Sequence, residues 1–239
     1  MNCEGPGEEI SGALDACVFQ LDRVLVREII RLSVSDQKEG VWRSSRVLDR
    51  EASALVVVDV QDRLLAKINT RRRVVWNSSR LLRGAGLLKV RVVASEQYAE
   101  KLGPTVAELA EFLPTRHDKR EFSFAALSPV VEELAAAGCS QLVLCGIETH
   151  VCIMQSALDL LAAGFDVYVV ADAVGARESE DHVLALERMR GEGVSLVTTE
   201  SVLFEWCRTS LDPQFKGISR IVQETPSESG AGIGFVVRS

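Results

Sequence analysis

Three residues of this chain could together break an acyl bond: Cys152, Asp59 and Lys119. A cysteine sulfur is a strong nucleophile once its proton is gone. An aspartate beside it can take that proton and later hand it to a leaving group. A lysine beside both favours their anionic forms and fixes their geometry. Backbone N–H groups at the start of a helix can hold the oxyanion of a tetrahedral intermediate. Together these parts suit acyl transfer through a thioester. Each part alone is common: strand-end aspartates cap turns, lone lysines are solvated, and cysteines often only pack. Chemistry requires that the fold bring them to one place.

The local patterns supply that fold. Gln141-Leu142-Val143-Leu144-Cys145 reads as a buried parallel strand. Cys152, Ile153, Ser156, Ala157, Leu160 and Leu161 then recur at helical spacing. This puts Cys152 in a first helical turn, where free N–H groups and the helix dipole favour a thiolate. Ala54–Val60 is another β-rich run, with Asp59 at its end. Lys89–Ala94 is a third, ending at Ser95-Glu96-Gln97. Lys119 falls in a loop region, Tyr98–Ser128, ahead of a helix over Pro129–Gly138 with proline at its start. Helices are also predicted over Val74–Gly84, Glu178–Met189 and Ser201–Cys207, and strands over Asp166–Ala171 and Val194–Thr198. Such alternation predicts an α/β fold: a doubly wound, Rossmann-like parallel sheet between helices, a three-layer α/β/α arrangement. Ligands of such sheets bind at the carboxyl ends of the strands.

Composition narrows the classes. Hydrophobic residues make up 47% and aromatics only 5%, so the core is mainly Leu, Val and Ala. A net charge of -7 without a basic stripe argues against nucleic acid. No apolar stretch reaches the ~18 residues of a membrane span. The six cysteines lie in apolar patterns of a long chain without a basic, then apolar, N-terminal leader. Reduced thiols and a cytoplasmic location follow as the expectation. Cys139 and Cys145 look like small buried hydrophobes. His150 is too near Cys152, at a helix start, to face it as a base. His117, His150 and His182 show no metal-ligand spacing, so neither metal nor cofactor is expected.

Residues 1–50 stand apart as an N-terminal extension, in which Leu14, Val18, Leu21, Leu25 and Ile29 recur as in an amphipathic helix. Residues 51–224 form the predicted catalytic domain, and 225–239 a polar C-terminal tail expected to lack structure.

Several stretches resemble a known family. These are Val56-Val57-Val58-Asp59-Val60-Gln61, Lys119-Arg120-Glu121-Phe122-Ser123 and Gly146-Ile147-Glu148-Thr149-His150-Val151-Cys152. They resemble, in order, the motifs of isochorismatase-like cysteine hydrolases, and among them the isochorismatase domain-containing proteins. Ser95-Glu96-Gln97-Tyr98, Leu102-Gly103-Pro104-Thr105-Val106 and Val169-Val170-Ala171-Asp172-Ala173 extend the likeness. It covers about residues 50–224. The resemblance implies a six-stranded sheet and a triad of Asp59, Lys119 and Cys152. It also implies a cis peptide at Ile147–Glu148 and an oxyanion hole from the amides of Glu148 and Cys152. Nicotinamidases of this family carry an Asp-x-His metal motif where this chain has Ser95-Glu96-Gln97, which argues against that activity. By position, Gln61, Glu96, Gln97, Tyr98, Phe124 and Thr149 are substrate-pocket candidates. The expected protein is a hydrolase of a small amide or carbamoyl compound, working as a homo-oligomer. The alternative is a catalytically silent interaction or scaffold protein, motivated by the extension.

Overall fold

A computed structural model describes residues 43–226 together with 235 and 236. The helical pattern between Leu14 and Ile29 lies outside the described residues. The chain divides between Ser44 and Ser45 into two units, and the sheet, its helices and the candidate site all lie in the second.

The strands are β1 (Ser53–Val58), β2 (Arg91–Gln97), β3 (His117–Lys119), β4 (Gln141–Ile147), β5 (Asp166–Gly175) and β6 (Ser195–Val197). They form one six-stranded sheet in the order β3-β2-β1-β4-β5-β6, every pair parallel. β1 and β4 are buried along their whole length. Their apolar runs therefore lack the alternation of a one-sided sheet. Side chains still alternate between two cores. Leu55 and Val57 join Val143, Cys145 and Ile147 on one face, while Ala54, Val56 and Val58 join Leu142 and Leu144 on the other.

The first face is covered by α1 (Arg71–Leu88), α5 (Thr199–Cys207) and α6 (Phe215–Gln223). The second is covered by α2 (Ser128–Ala136), α3 (Met154–Ala162) and α4 (Ser179–Gly191). The chain runs outward from β1 to β2 and β3, then crosses to β4 on β1's other side. That reversal opens a crevice beyond the carboxyl ends of β1 and β4, the usual ligand position in such sheets.

Helix α1 continues past Gly84, the residue at which the sequence pattern stops. Gly84 does not end the helix; it lets another helix approach. A Cβ there would lie 2.1 Å from Leu203 Cδ2 of α5. α1 ends instead at Lys89, in the left-handed conformation with φ 60°. Two further elements depart from the sequence reading. β3 lies inside the segment read as a loop, and α6 follows the last predicted helix. Part of the segment read as an extension packs on the domain: Leu48 is wholly buried, and its N–H donates to Glu205 at 2.8 Å. In the tail, Thr225–Pro226 pairs antiparallel with Phe235–Val236, where composition pointed to a chain without structure.

Candidate active site

Sheet register brings the three reactive side chains together. Val58 pairs with Ser95 of β2 on one side and with Gly146 of β4 on the other. Asp59 is the next residue, so it emerges between the ends of both neighbours. Its backbone is left-handed, with φ 53°, and its N–H donates to Ser95 O at 3.1 Å. Lys119 ends β3 and pairs with Gln97, the last residue of β2. Gly146 has φ 122°, and a Cβ there would lie 2.0 Å from Val58 O. Only glycine permits this close approach of β4 to β1. Beyond it, the Ile147–Glu148 peptide is cis, and Thr149–Ile153 form one π-helical turn before α3.

The side chains interlock. Lys119 Nζ donates to Asp59 Oδ2 and Gln97 Oε1, both at 2.7 Å, and to Phe122 O at 2.9 Å and Glu121 O at 3.2 Å. Three ammonium hydrogens thus serve four acceptors, and no water is needed. Ser95 Oγ donates to the other carboxylate oxygen, Asp59 Oδ1, at 2.7 Å. The Cys152 thiol also interacts with the Asp59 carboxylate, and the Glu148 backbone acts on the sulfur. Both side chains of the Lys119–Asp59 pair are 0% exposed. Burying two charges is costly, so this pair is better explained by chemistry than by stability.

Burial pushes the Asp59 carboxyl up, while Lys119, Ser95 and Cys152 pull it back. Burial and then the charge of Asp59 push the Cys152 thiol up to about 12, against the opposing pull of Lys119 and Glu148. At neutral pH the resting thiol is therefore neutral, and it lies beside the Asp59–Lys119 pair. This corrects the thiolate expected from a helix start. Cys152 is the fourth residue of the π-helical turn, is 5% exposed, and faces a carboxylate. Desolvation outweighs the helix dipole there.

The positional candidates brace the site. Gln61 Nε2 donates to Gln97 O at 3.1 Å and its Oε1 accepts from Gln97 N–H at 2.7 Å. Glu96 Oε1 accepts from Thr105 N–H and Oγ1 at 2.7 and 2.8 Å and pairs with Arg116 Nε at 3.1 Å. Gln97 holds Lys119 through Oε1 and Arg120 O through Nε2, the latter at 2.7 Å. Tyr98 lies under the Arg120 guanidinium, 3.7 Å from ring centre. Phe124 is wholly buried, its N–H donating to Ser156 Oγ at 2.7 Å. Thr149 Oγ1 meets His182 Nδ1 at 2.9 Å. His150 Nε2 points to Asp181, 3.6 Å away, and forms no dyad with Cys152. Glu148 Oε2 pairs with Arg177 Nε at 3.1 Å. Among the described residues, no three His, Cys, Asp or Glu side chains are grouped to hold a cation. No helix among them is long and apolar enough to cross a membrane. An open groove of about 680 Å³ lies at the far edge of the sheet, lined by Val183, Leu186, Arg190, Leu196 and Val197, with no triad member.

Ser95 is the residue that sequence reasoning missed. A serine at a strand end carries no chemical signature. The usable signal was its parity with Gln97: alternate residues of a strand share a face.

The family model for the isochorismatase domain matches residues 53–201. The isochorismatase domain-containing protein 2 of Xenopus laevis is 39% identical over 185 residues, 77% of this chain and 89% of that protein. Among solved structures, the MAR1 ribonuclease of Caenorhabditis elegans is 32% identical with TM-score 0.70, over 80% of this chain and 98% of that one. YcaC from Pseudomonas aeruginosa, solved with covalent acrylamide, is 26% identical with TM-score 0.68, over 76% and 93% of the two chains. A family model that spans most of the sheet, and relatives alike along most of their length, establish that this chain belongs to the isochorismatase family.

Proposed function

We propose that this protein hydrolyses a small amide or carbamoyl compound, with Cys152 as nucleophile, Asp59 as general base and acid, and Lys119 as their electrostatic support. One observation carries this reading: a single buried carboxylate lies 2.7 Å from an ammonium and interacts with the Cys152 thiol. Such a carboxylate can accept the thiol proton as the sulfur attacks. The C–S bond forms, and the carbonyl oxygen becomes an oxyanion held by the amides of Glu148 and Cys152. When the intermediate collapses, Asp59 gives its proton to the departing nitrogen and a thioester remains. Water then attacks the thioester, losing a proton to Asp59. The C–S bond breaks, the acid leaves, and the thiol regains its hydrogen. Lys119 lowers the cost of each charge shift. The high proton affinity of the resting thiol fits this scheme, because the nucleophile is generated only as a substrate receives it.

Acrylamide tests the reading, since it offers both an electrophilic carbon and an amide oxygen. Mass spectrometry at neutral pH should show Cys152 alkylated at least about tenfold faster than Cys139 or Cys207, with Asp59→Asn removing the difference. Equal labelling of the three cysteines would overturn it. A screen of small amides for ammonia release, with Cys152→Ala as the blank, then identifies the substrate.

A further inference from the structure

We propose that Ser95 is a positioning residue that sets the proton affinity of Asp59, so that β2, which contributes no member of the triad, governs when Cys152 becomes a nucleophile. The inference rests on the reading of the triad given above. Ser95 grips Asp59 twice: its carbonyl accepts the Asp59 N–H at 3.1 Å, and its hydroxyl donates to Oδ1 at 2.7 Å. The first contact fixes the left-handed backbone that turns Asp59 into the crevice. The second orients the carboxylate, whose other oxygen is held by Lys119. Ser95 is 1% exposed, so water cannot easily replace the hydroxyl when it is removed.

The chemistry of the donor gives the bond its sign. An ionised carboxylate only accepts hydrogen bonds, so the Ser95 hydroxyl stabilises the charged form of Asp59. Protonation of Oδ1 would break that bond or force it to reverse. Two residues along, on the same side of the strand, Gln97 treats Lys119 in the complementary way. Its Oε1 accepts from Nζ at 2.7 Å while its Nε2 donates to Arg120 O at 2.7 Å. Turning that amide over would set NH2 against an ammonium, so the network admits one orientation. β2 therefore offers a donor to the anion and an acceptor to the cation. Each half of the ion pair is held in its charged form by a neutral residue of this strand.

The test follows acrylamide labelling of Cys152 between pH 4 and 8. In that reaction the C–S bond forms, and the thiol proton passes by way of Asp59 to the acrylamide α-carbon. Labelling should fall on the acid side as Asp59 takes up a proton. In Ser95→Ala the fall should move upward by about one pH unit, the differential worth of one charge-assisted hydrogen bond. Ser95→Thr, which keeps the hydroxyl, should return it to its original place. Should Ser95→Ala fail to fold, Ser95→Cys offers a weak donor, and its limb, read on the Cys152 peptide, should move the same way. A merely structural serine would lower the rate at every pH without moving the limb, and that outcome overturns the proposal alone. Wild-type protein in which Cys152 labels no faster than Cys139 overturns the proposal and the reading of the triad together.

Discussion

Lys119 and Arg80 are both buried cations, 3% and 5% exposed, yet the molecule uses them in opposite ways. Arg80 lies on α1. Its Nε and Nη2 donate to Ile221 O and Val222 O at 3.2 Å, its Nη1 donates to Asn77 Oδ1 at 3.1 Å, and its plane rests 4.4 Å from the Trp76 ring centre. Ile221 and Val222 belong to the last turn of α6, where carbonyls lack helical partners and the dipole favours a cation. No carboxylate is paired with this guanidinium among the described residues, and no proton there has anywhere to go. Lys119 meets a carboxylate that also interacts with a thiol. The difference lies in the partners. A rigid, planar fork suits fixed carbonyls; a compact ammonium suits an anion whose charge comes and goes. Burial of a cation thus signals chemistry only when a titratable partner is buried with it.

Lys119→Ala should break the comparison most severely. Labelling of Cys152 should fall at least to the level of Cys139 and Cys207, because the carboxylate loses its charge partner. Stability should fall by about 3–5 kcal/mol, the usual result of stranding a buried charge. The loss should depend on pH with a defined sign. An unpaired, buried Asp59 binds its proton more tightly folded than unfolded. Stability is then retained at low pH and lost as pH rises past the ordinary carboxylate range. Thermal melts of the variant at pH 5 and pH 7.5 check this, and the pH 5 melt should be the higher. Adding Asp59→Asn to Lys119→Met should recover much of the stability and none of the labelling, which separates the two roles of the pair.

Arg80→Ala should show the reverse profile. Orphaning the carbonyls that end α6 should reduce stability by about 2–4 kcal/mol in urea melts, with the labelling rate of Cys152 held within about threefold. A large loss of labelling there would erase the distinction drawn between the two cations. Arg80→Lys is the smallest expected effect, about 1–2 kcal/mol, since the charge remains near the helix end but the fork is gone.

The parallel sheet, and the positions of Asp59 and Cys152 after two of its strands, were legible because their signals are local. β1 and β4 are largely apolar runs; Asp59 follows β1 directly, and Cys152 comes five residues after β4. β3 was not legible. His117-Asp118-Lys119 is three polar residues, a strand only because β2 provides an edge to pair with. The length of α1 was misread because Gly84 signals helix termination in sequence and helix packing in space. Ser95 and the braces made by Gln61 and Glu96 depend on partners several to tens of residues away, which register brings near and periodicity does not reveal. The ionisation of Cys152 was misjudged for a related reason. Position in a helix is visible in sequence, but the depth of burial and the charge of the neighbour belong to the folded chain.

The neutral thiol at rest also bears on how this protein endures oxidation. Peroxide reacts with thiolates, and a thiol held up to about 12 presents very few of them. Peroxide has no carbonyl oxygen, so it would gain nothing from the oxyanion hole proposed above. On the mechanism proposed above, the carboxylate that prepares Cys152 for a fitting substrate would also shield the sulfur from oxidants that do not fit. The protein would outlast an oxidative burst that consumes freely ionised cysteines.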